Sequence, residues 1–416
     1  MSDEYVFKRC KCTHNNLFFR SRGKLNYVIF VPEYFVTENM EIAELYKCFM
    51  ECGKVTTDSR NCPEGSMFIA LKGETFNGNA FAAQALKQGC RYAVIDESEY
   101  AGEGTILVDN CLQALQQLAN YHRRQLKTPV IGITGTNGKT TTKELISTVL
   151  SRKFNTLYTE GNFNNEIGLP LTVFRLRDDD EVAVLEMGIS DFGEMDRLSK
   201  IAQPDISVIT NIGLCHLENL KTRDGILKAK TEIFNNMKPD GIAILNGDDD
   251  KLITVDEVNG KKPERFGINY KDGVYAKDIE NLGLSGTKFV ISGLNCVDGC
   301  KDFEVTVPVP GHHMIYNALA AACVGAALEL TSTQIADGIA DLKTISGRNN
   351  IIKTSKYTLI DDCYNANPVS MKASVDVLDM AIGRKVCILG NMYELGENEK
   401  NLHYDVGQYI CSYYDW

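Results

Sequence analysis

From Met40 onward the apolar positions fall into two rhythms, and their alternation predicts the architecture. Short unbroken apolar runs read as strands buried on both faces, over 66–71, 92–95, 130–133, 182–185, 206–210 and 241–245. Between them, apolar residues recur at helical spacing just after Met40 and over 79–88, 141–150, 225–237 and 315–330. Strands that alternate with helices in this way form a parallel sheet covered on both sides, so the fold class is α/β. Residues 265–309 turn glycine-rich and β-prone, which predicts an antiparallel patch beside that sheet. A last unit begins near Ser346, where strands over 357–360 and 385–389 flank a helix like the start of a Rossmann-like layer.

Breaks in the pattern divide the chain into residues 1–39, an appendage without periodicity; 40–127, a small α/β unit; 128–346, a central unit; and 347–416, the last unit. At 416 residues the chain exceeds what one core usually supports. Its 44 basic and 55 acidic residues leave a net charge of −11, which argues against a nucleic-acid surface but allows a local cationic pocket. No stretch reaches the roughly 20 apolar residues of a membrane helix, and the 14 cysteines lack a disulfide framework, so a cytoplasmic protein with reduced thiols is expected. Cys10, Cys12 and His14 form a lone cluster without a second ligand pair and read as accidental.

The chemistry concentrates after the run 130–133. The segment T-G-T-N-G-K-T-T-T over 134–142 places small residues between a strand and a helix, where backbone N–H groups and a helix N-terminus can close around phosphate oxygens. Lys139 can reach the terminal phosphates and the Thr140 hydroxyl can hold Mg²⁺. The spacing departs from the common G-x-x-x-x-G-K-[ST], because Ile133 stands five positions before Gly138. Glu186 and His216 each follow a predicted strand, at its carboxyl edge; taken alone, a glutamate there reads as a solvated loop residue. Lys230 lies in a predicted helix and, on its own, reads as a surface lysine.

This phosphate loop resembles that of the Mur ligase and folylpolyglutamate synthase superfamily. G-N-F-N-N-E-I-G-L-P-L-T over 161–172, D-D-C-Y-N-A-N-P-V-S-M over 361–371 and L-G-N-M-Y-E-L-G over 389–396 resemble its MurF-type branch. The resemblance, which runs from about Met40 to the end, implies a three-domain architecture and an ATP-dependent amide ligase acting through an acyl phosphate, with UDP-N-acetylmuramoyl-tripeptide and D-alanyl-D-alanine as substrates in peptidoglycan synthesis. It implies ATP and two Mg²⁺ ions, a monomer, and catalytic roles for Lys139, Glu186, His216 and Lys230. Thr140, Glu186, His216 and Lys230 would hold metal, with Lys230 carbamylated by CO₂.

Further implied positions follow the motifs. Thr136, Asn137, Gly138, Lys139, Thr140 and Thr141 would surround the phosphates, Asn246 and Asn317 the base, Arg348 the γ-phosphate and Asp361 the ribose. Ser59 and Arg60 would meet the uridine diphosphate, Asn162, Asn164 and Asn165 the peptide, and Tyr364, Asn365 and Asn367 the incoming dipeptide. Met314 and Asn79 depart from the family pattern, standing where Asn and His are common. The rival readings are another amino-acid ligase of the superfamily, a P-loop kinase or GTPase-like switch, and an inactive chain. The last arises because about 70 residues follow Ser346, where a domain usually holds roughly 100–150, so an incomplete third domain is expected.

Overall fold

The computed structural model describes residues 41–413. The expectations for residues 1–39, including the Cys10, Cys12 and His14 cluster, lie outside them. In the first unit β1 (Val55–Thr56), β2 (Met67–Ile69), β3 (Tyr92–Ile95) and β4 (Thr105–Leu107) form a parallel sheet in chain order. Its parallel connections require helical crossovers, supplied in part by Ala82–Lys87, which follows a 3₁₀ turn at Gly78–Phe81. The helices Ile42–Cys52 and Cys111–Gln125 pack against each other.

The central unit contains β5 (Val130–Thr134), β6 (Thr156–Tyr158), β7 (Val182–Glu186), β8 (Ile206–Ile209), β9 (Ile242–Asn246), β10 (Glu264–Gly267), β11 (Val274–Asn281), β12 (Thr287–Ser292) and β13 (Asp302–Val307). They make one nine-stranded sheet in the order β13-β12-β11-β10-β9-β8-β5-β7-β6. Pairing is parallel from β6 through to β11 and antiparallel from β11 to β13, so the predicted antiparallel patch continues the main sheet. All five residues of β5 and of β7 are buried, as unbroken apolar strands beneath helices on both faces must be. Because β5 pairs with β7 on one side and β8 on the other, the winding reverses at its carboxyl end, which opens a crevice suited to a ligand. The helix expected over 225–237 spans Arg223–Thr231, capped by the Thr222 hydroxyl accepting from Gly225 N at 3.0 Å, and tightens into a 3₁₀ turn at Glu232–Phe234.

One hydrophobic cluster runs from Leu45 in the first unit to Leu252 in the central one. Across that seam the buried Arg123 guanidinium donates to the Ala202 carbonyl at 2.9 Å, and His122 Nε2 donates to the Leu176 carbonyl at 3.0 Å. The third unit has its own small core of Val375, Met392, Leu395, Val406 and Ile410, formed by the helices Pro368–Asp379 and Glu399–Tyr413 and the loop between them. Its strands β14 (Asn350–Lys353) and β15 (Thr358–Asp361) make an antiparallel hairpin. Residues 385–389 do not form the predicted strand: β14 and β15 pair only with each other, so no edge receives this segment, and Val386 and Ile388 are 64% and 94% exposed. Among the described residues the expected Rossmann-like layer therefore contains only this hairpin and two helices. No described helix is long and apolar enough to cross a membrane.

Candidate active site

The crevice at the end of β5 is a cavity of about 1000 Å³, walled by the central and third units. Its floor is the loop 134–139. Gly135 and Gly138 have φ of +149° and +78°, conformations L side chains rarely adopt. A Cβ at Gly138 would also stand 2.8 Å from Asn317 Oδ1. The loop is fastened to the end of β8: Thr136 N donates to the Asn211 carbonyl at 3.0 Å, Asn137 N to Asn211 Oδ1 at 2.9 Å, and the Thr210 hydroxyl to the Asn137 carbonyl at 2.6 Å. Thr136 and Asn137 thus already have partners that shape the loop, while Gly138 opens the helix Lys139–Leu150, whose first residues Thr140 and Thr141 line the cavity.

Lys139 Nζ donates to the carbonyls of Gly135 and Thr136, at 2.9 and 3.3 Å, and so lies over the loop. Burial pulls its pKa below the ordinary lysine value, opposed by the Glu186 carboxylate. Glu186 ends β7 with 1% of its surface exposed. Its Oε1 accepts from Asn164 Nδ2 at 2.8 Å, while Oε2 has no hydrogen-bond partner among the described residues. A buried carboxylate oxygen without a donor is costly unless a cation compensates it, so this side fits a divalent ion.

Lys230 is 1% exposed on the helix Arg223–Thr231. Burial, and then the charge of Lys139, pull its pKa down to about 7, with Cys215 acting in the opposite direction. His216 has φ of +49°, and its Nδ1 lies in ion-pair contact with the Glu394 carboxylate. Burial lowers its pKa, Glu394 opposes this, and the Lys230 charge lowers it further. Thus Lys139 lies within electrostatic reach of Glu186, His216 and Lys230, and Lys230 within reach of His216. No three His, Cys, Asp or Glu residues among those described could enclose an ion by themselves. An ion here would take further ligands from Thr140, phosphate oxygens and water, the usual habit of Mg²⁺.

The remaining predicted positions divide. Asn246 and Asn317 line the cavity, yet both are engaged: Asn246 Nδ2 donates to the Thr210 carbonyl at 3.2 Å, and Asn317 Oδ1 accepts from the Thr142 hydroxyl at 3.2 Å. Asn317 Nδ2 also lies 3.7 Å from the sulfur of Met314, the residue that departs from the family pattern. Arg348 lines the cavity with its guanidinium 4.1 Å from the centre of the Tyr364 ring. Asp361 does not line it: its Oδ2 accepts from Gly347 N at 2.9 Å, and the neighbouring Asp362 faces the cavity instead. Asn165 and Asn365 line the cavity, whereas Asn162 is exposed outside it. Asn367 accepts from the amides of Val369 and Ser370 as a helix cap, and its Nδ2 donates to Asn137 Oδ1 at 2.6 Å.

Ser59 and Arg60 stand apart in the first unit. Arg60 is forked onto Asp58 through two contacts of 2.9 Å. Asn79 is fully buried and donates to Asp96 Oδ1 at 2.8 Å, a fixed structural role. The sequence assigns no role to Asn211 or Glu394, and for Asp249 only membership of N-G-D-D over 246–249, whose resemblance implies a place at the nucleotide. Asn211 clamps the phosphate loop, and Asp249 Oδ2 accepts from Ile212 N at 2.7 Å. Asn211 stands just past the end of β8, the signal already used for Glu186, whereas Asp249 lies in the turn after β9. For Glu394 the only sequence signal was membership of the motif over 389–396.

Known proteins match this chain along all three units. The family described as "Mur ligase middle domain" matches residues 133–325, "Mur ligase family, catalytic domain" matches 52–123, and "Mur ligase, glutamate ligase domain" matches 347–415. The chain is 40% identical over 362 residues to the UDP-N-acetylmuramoyl-tripeptide--D-alanyl-D-alanine ligase of Bacillus subtilis, covering 86% of this chain and 77% of that protein. It is 36% identical to the Escherichia coli enzyme of the same name, covering 85% and 78%. Among solved structures, MurF from Acinetobacter baumannii superposes with a TM-score of 0.82 at 35% identity, covering 89% of this chain and 83% of that one. MurF from Thermotoga maritima, in complex with ADP, gives 0.77 at 31% identity, covering 86% and 82%.

Proposed function

The chain belongs to the Mur ligase family, and on that premise we propose that its cavity performs the amide-forming reaction of the MurF type. The protein is an ATP-dependent ligase that forms a carbon–nitrogen bond, joining D-alanyl-D-alanine to UDP-N-acetylmuramoyl-tripeptide in peptidoglycan synthesis. In our reading the tripeptide's terminal carboxylate attacks the γ-phosphorus of ATP, ADP departs, and the dipeptide amine then displaces phosphate from the acyl phosphate. Neither step needs an enzyme nucleophile, so the residues act by holding two anions together and stabilising developing charge. The observation that carries the reading is the crevice lined by the phosphate loop and by Glu186 with its unpaired oxygen, with the buried Lys230 behind it in electrostatic reach of Lys139 and His216.

Lys139 would exchange its bonds to the loop carbonyls for phosphate oxygens, with the N-terminus of the helix Lys139–Leu150 adding positive potential. Thr140, Glu186, His216 and Lys230 would hold Mg²⁺, which when bound offsets phosphate charge and polarises the γ-phosphoryl group. A lysine that titrates near 7 presents about half of its amine uncharged at neutral pH, against roughly one part in two to three thousand for an ordinary lysine. Only the uncharged amine reacts with CO₂, so the Lys230 environment favours the carbamate, whose oxygens could face a cation without repulsion. Arg348 and Asn317 would meet the nucleotide, Arg60 the uridine diphosphate, and Tyr364 with Asn365 the dipeptide. The domain limits follow the same reading: 40–127 for the uridine substrate, 128–346 for ATP, and 347–416 for the dipeptide. We place the reaction in the cytoplasm, with a monomer as the working form.

A coupled phosphate-release assay tests this, using UDP-linked muramoyl tripeptide with D-Ala-D-Ala or single amino acids supplied in turn. Phosphate release with the dipeptide alone is expected. Turnover with a single amino acid would place the chain in another branch of the family, and release without any amine would point to a kinase- or switch-like activity.

A further inference from the structure

The motif over 389–396 carries a residue to which the preceding reading gives no role. Glu394 lies in the third unit, between Met392 and Leu395, which are buried in that unit's core and fix its backbone. Its side chain nevertheless reaches the central unit, where its carboxylate lies against His216 Nδ1, a buried nitrogen that has no other partner among the described residues. Both residues hold left-handed backbone conformations, with φ of +59° at Glu394 and +49° at His216. Such conformations are sparsely populated by residues other than glycine and persist only where the surroundings impose them. The loop lies directly on the first turn of the helix Leu217–Leu220, since a Cβ at Gly396 would come within 4.0 Å of the backbone of Leu217 and Glu218.

We propose that Glu394 is a positioning residue for His216: its carboxylate, delivered by the third unit, holds the imidazole proton on Nδ1 and leaves Nε2 the lone pair that meets the cation. An imidazole offers one lone pair at a time, and the partner of one nitrogen decides which nitrogen is free. Carboxylates placed behind metal-binding histidines fix the tautomer and ring orientation in this way. The contact joins two units, so a complete cation site requires the third unit to be docked, and its arrival is registered at the reacting phosphate. The inference rests on the reading of His216 as a metal ligand.

The test uses the full chain with ADP bound and Mn²⁺ as the probe, followed by electron paramagnetic resonance, together with steady-state kinetics. In Glu394→Ala the affinity for Mn²⁺ and kcat should each fall about 10- to 100-fold, while KM for D-Ala-D-Ala moves less than about threefold, within the scatter expected when no substrate contact is lost. Glu394→Gln keeps an oxygen that can accept from Nδ1 and should recover part of both losses; it also carries the test should the alanine variant fold poorly. In a His216→Ala background the Glu394→Ala change should add little. Wild-type Mn²⁺ affinity in Glu394→Ala, with affinity lost in His216→Ala, overturns the inference alone. A raised KM for the dipeptide with kcat intact also overturns it, because Glu394 would then contact that substrate directly. Wild-type Mn²⁺ affinity in His216→Ala overturns the ligand reading and, with it, the inference.

Discussion

The wall of the cavity built from residues 134–142 is bonded to its neighbours on nearly every side, through Asn211, Thr210 and Gly213, and rests on the buried strand β5. The opposite wall, from the third unit, meets the central unit through a few polar side chains: Asn367 on Asn137, Glu394 on His216, and Asn349 on His313, where Asn349 Nδ2 and His313 Nε2 are 3.3 Å apart. The first wall is set before substrate arrives, as charge stabilisation without reorganisation requires. The second is held by these few side-chain contacts, which suits an element that must admit one substrate and enclose another.

If the phosphate loop is the preorganised wall, the largest loss should come from its cation. Lys139→Ala is expected to lower kcat by about 10²- to 10³-fold, measured by phosphate release, with secondary structure unchanged by circular dichroism. Gly138→Ala places a side chain at φ of +78° and 2.8 Å from Asn317 Oδ1. It should weaken ATP binding by roughly 1–3 kcal/mol in a calorimetric titration.

Lys230 supplies a test of burial on the same side. Its pKa is about 7 in the folded protein and near 10.4 when unfolded, so between those values the unfolded chain holds more protons. Stability should therefore rise with pH from 7 upward, by roughly 2 kcal/mol to pH 9, and level out below 7. Urea unfolding of nucleotide-free protein in CO₂-free buffer measures this slope, and Lys230→Met should flatten it. An equal slope in that variant would mean the lysine is not the group responsible.

On the third-unit wall the effects should be smaller. Asn367→Ala removes a helix cap and the contact to Asn137, costing about 1 kcal/mol and visible as faster proteolysis within 347–413; its effect on ATP affinity should be slight. Tyr364→Ala removes the ring beneath Arg348, a loss of about 0.5–1 kcal/mol, which raises KM for ATP roughly two- to fivefold. A larger loss from Tyr364 than from Lys139 would reverse the assignment of the two walls.

The same division explains what could be read from the sequence. The phosphate loop was legible because glycines, a buried strand and a following helix are local signals, and Glu186 because strand ends have a recognisable pattern. Residues 385–389 looked like a strand because their composition is apolar, but a strand exists only with a neighbour to bond, and that is a tertiary fact. Asp361 and Asp362 could not be told apart, since in extended chain adjacent side chains point to opposite faces and register decides which meets the cavity. Asn367 lines the cavity as its motif implies, but the sequence does not show that its side chain also caps a helix and meets the phosphate loop 230 positions away. Glu394 depends entirely on such a long-range meeting.

The apolar cluster continuous from Leu45 to Leu252 has a further consequence. With the first two units fused through one interior, the span between Arg60 and Lys139 cannot lengthen or shorten without breaking that packing. On the proposed placement of the uridine end, the two units therefore act as a caliper. A precursor anchored at one end presents its far carboxylate at a set reach, and one amino acid fewer, about 3.3–3.6 Å of extended chain, would leave it short of the phosphate. On that placement, the rigidity of the frame would itself select for peptide length.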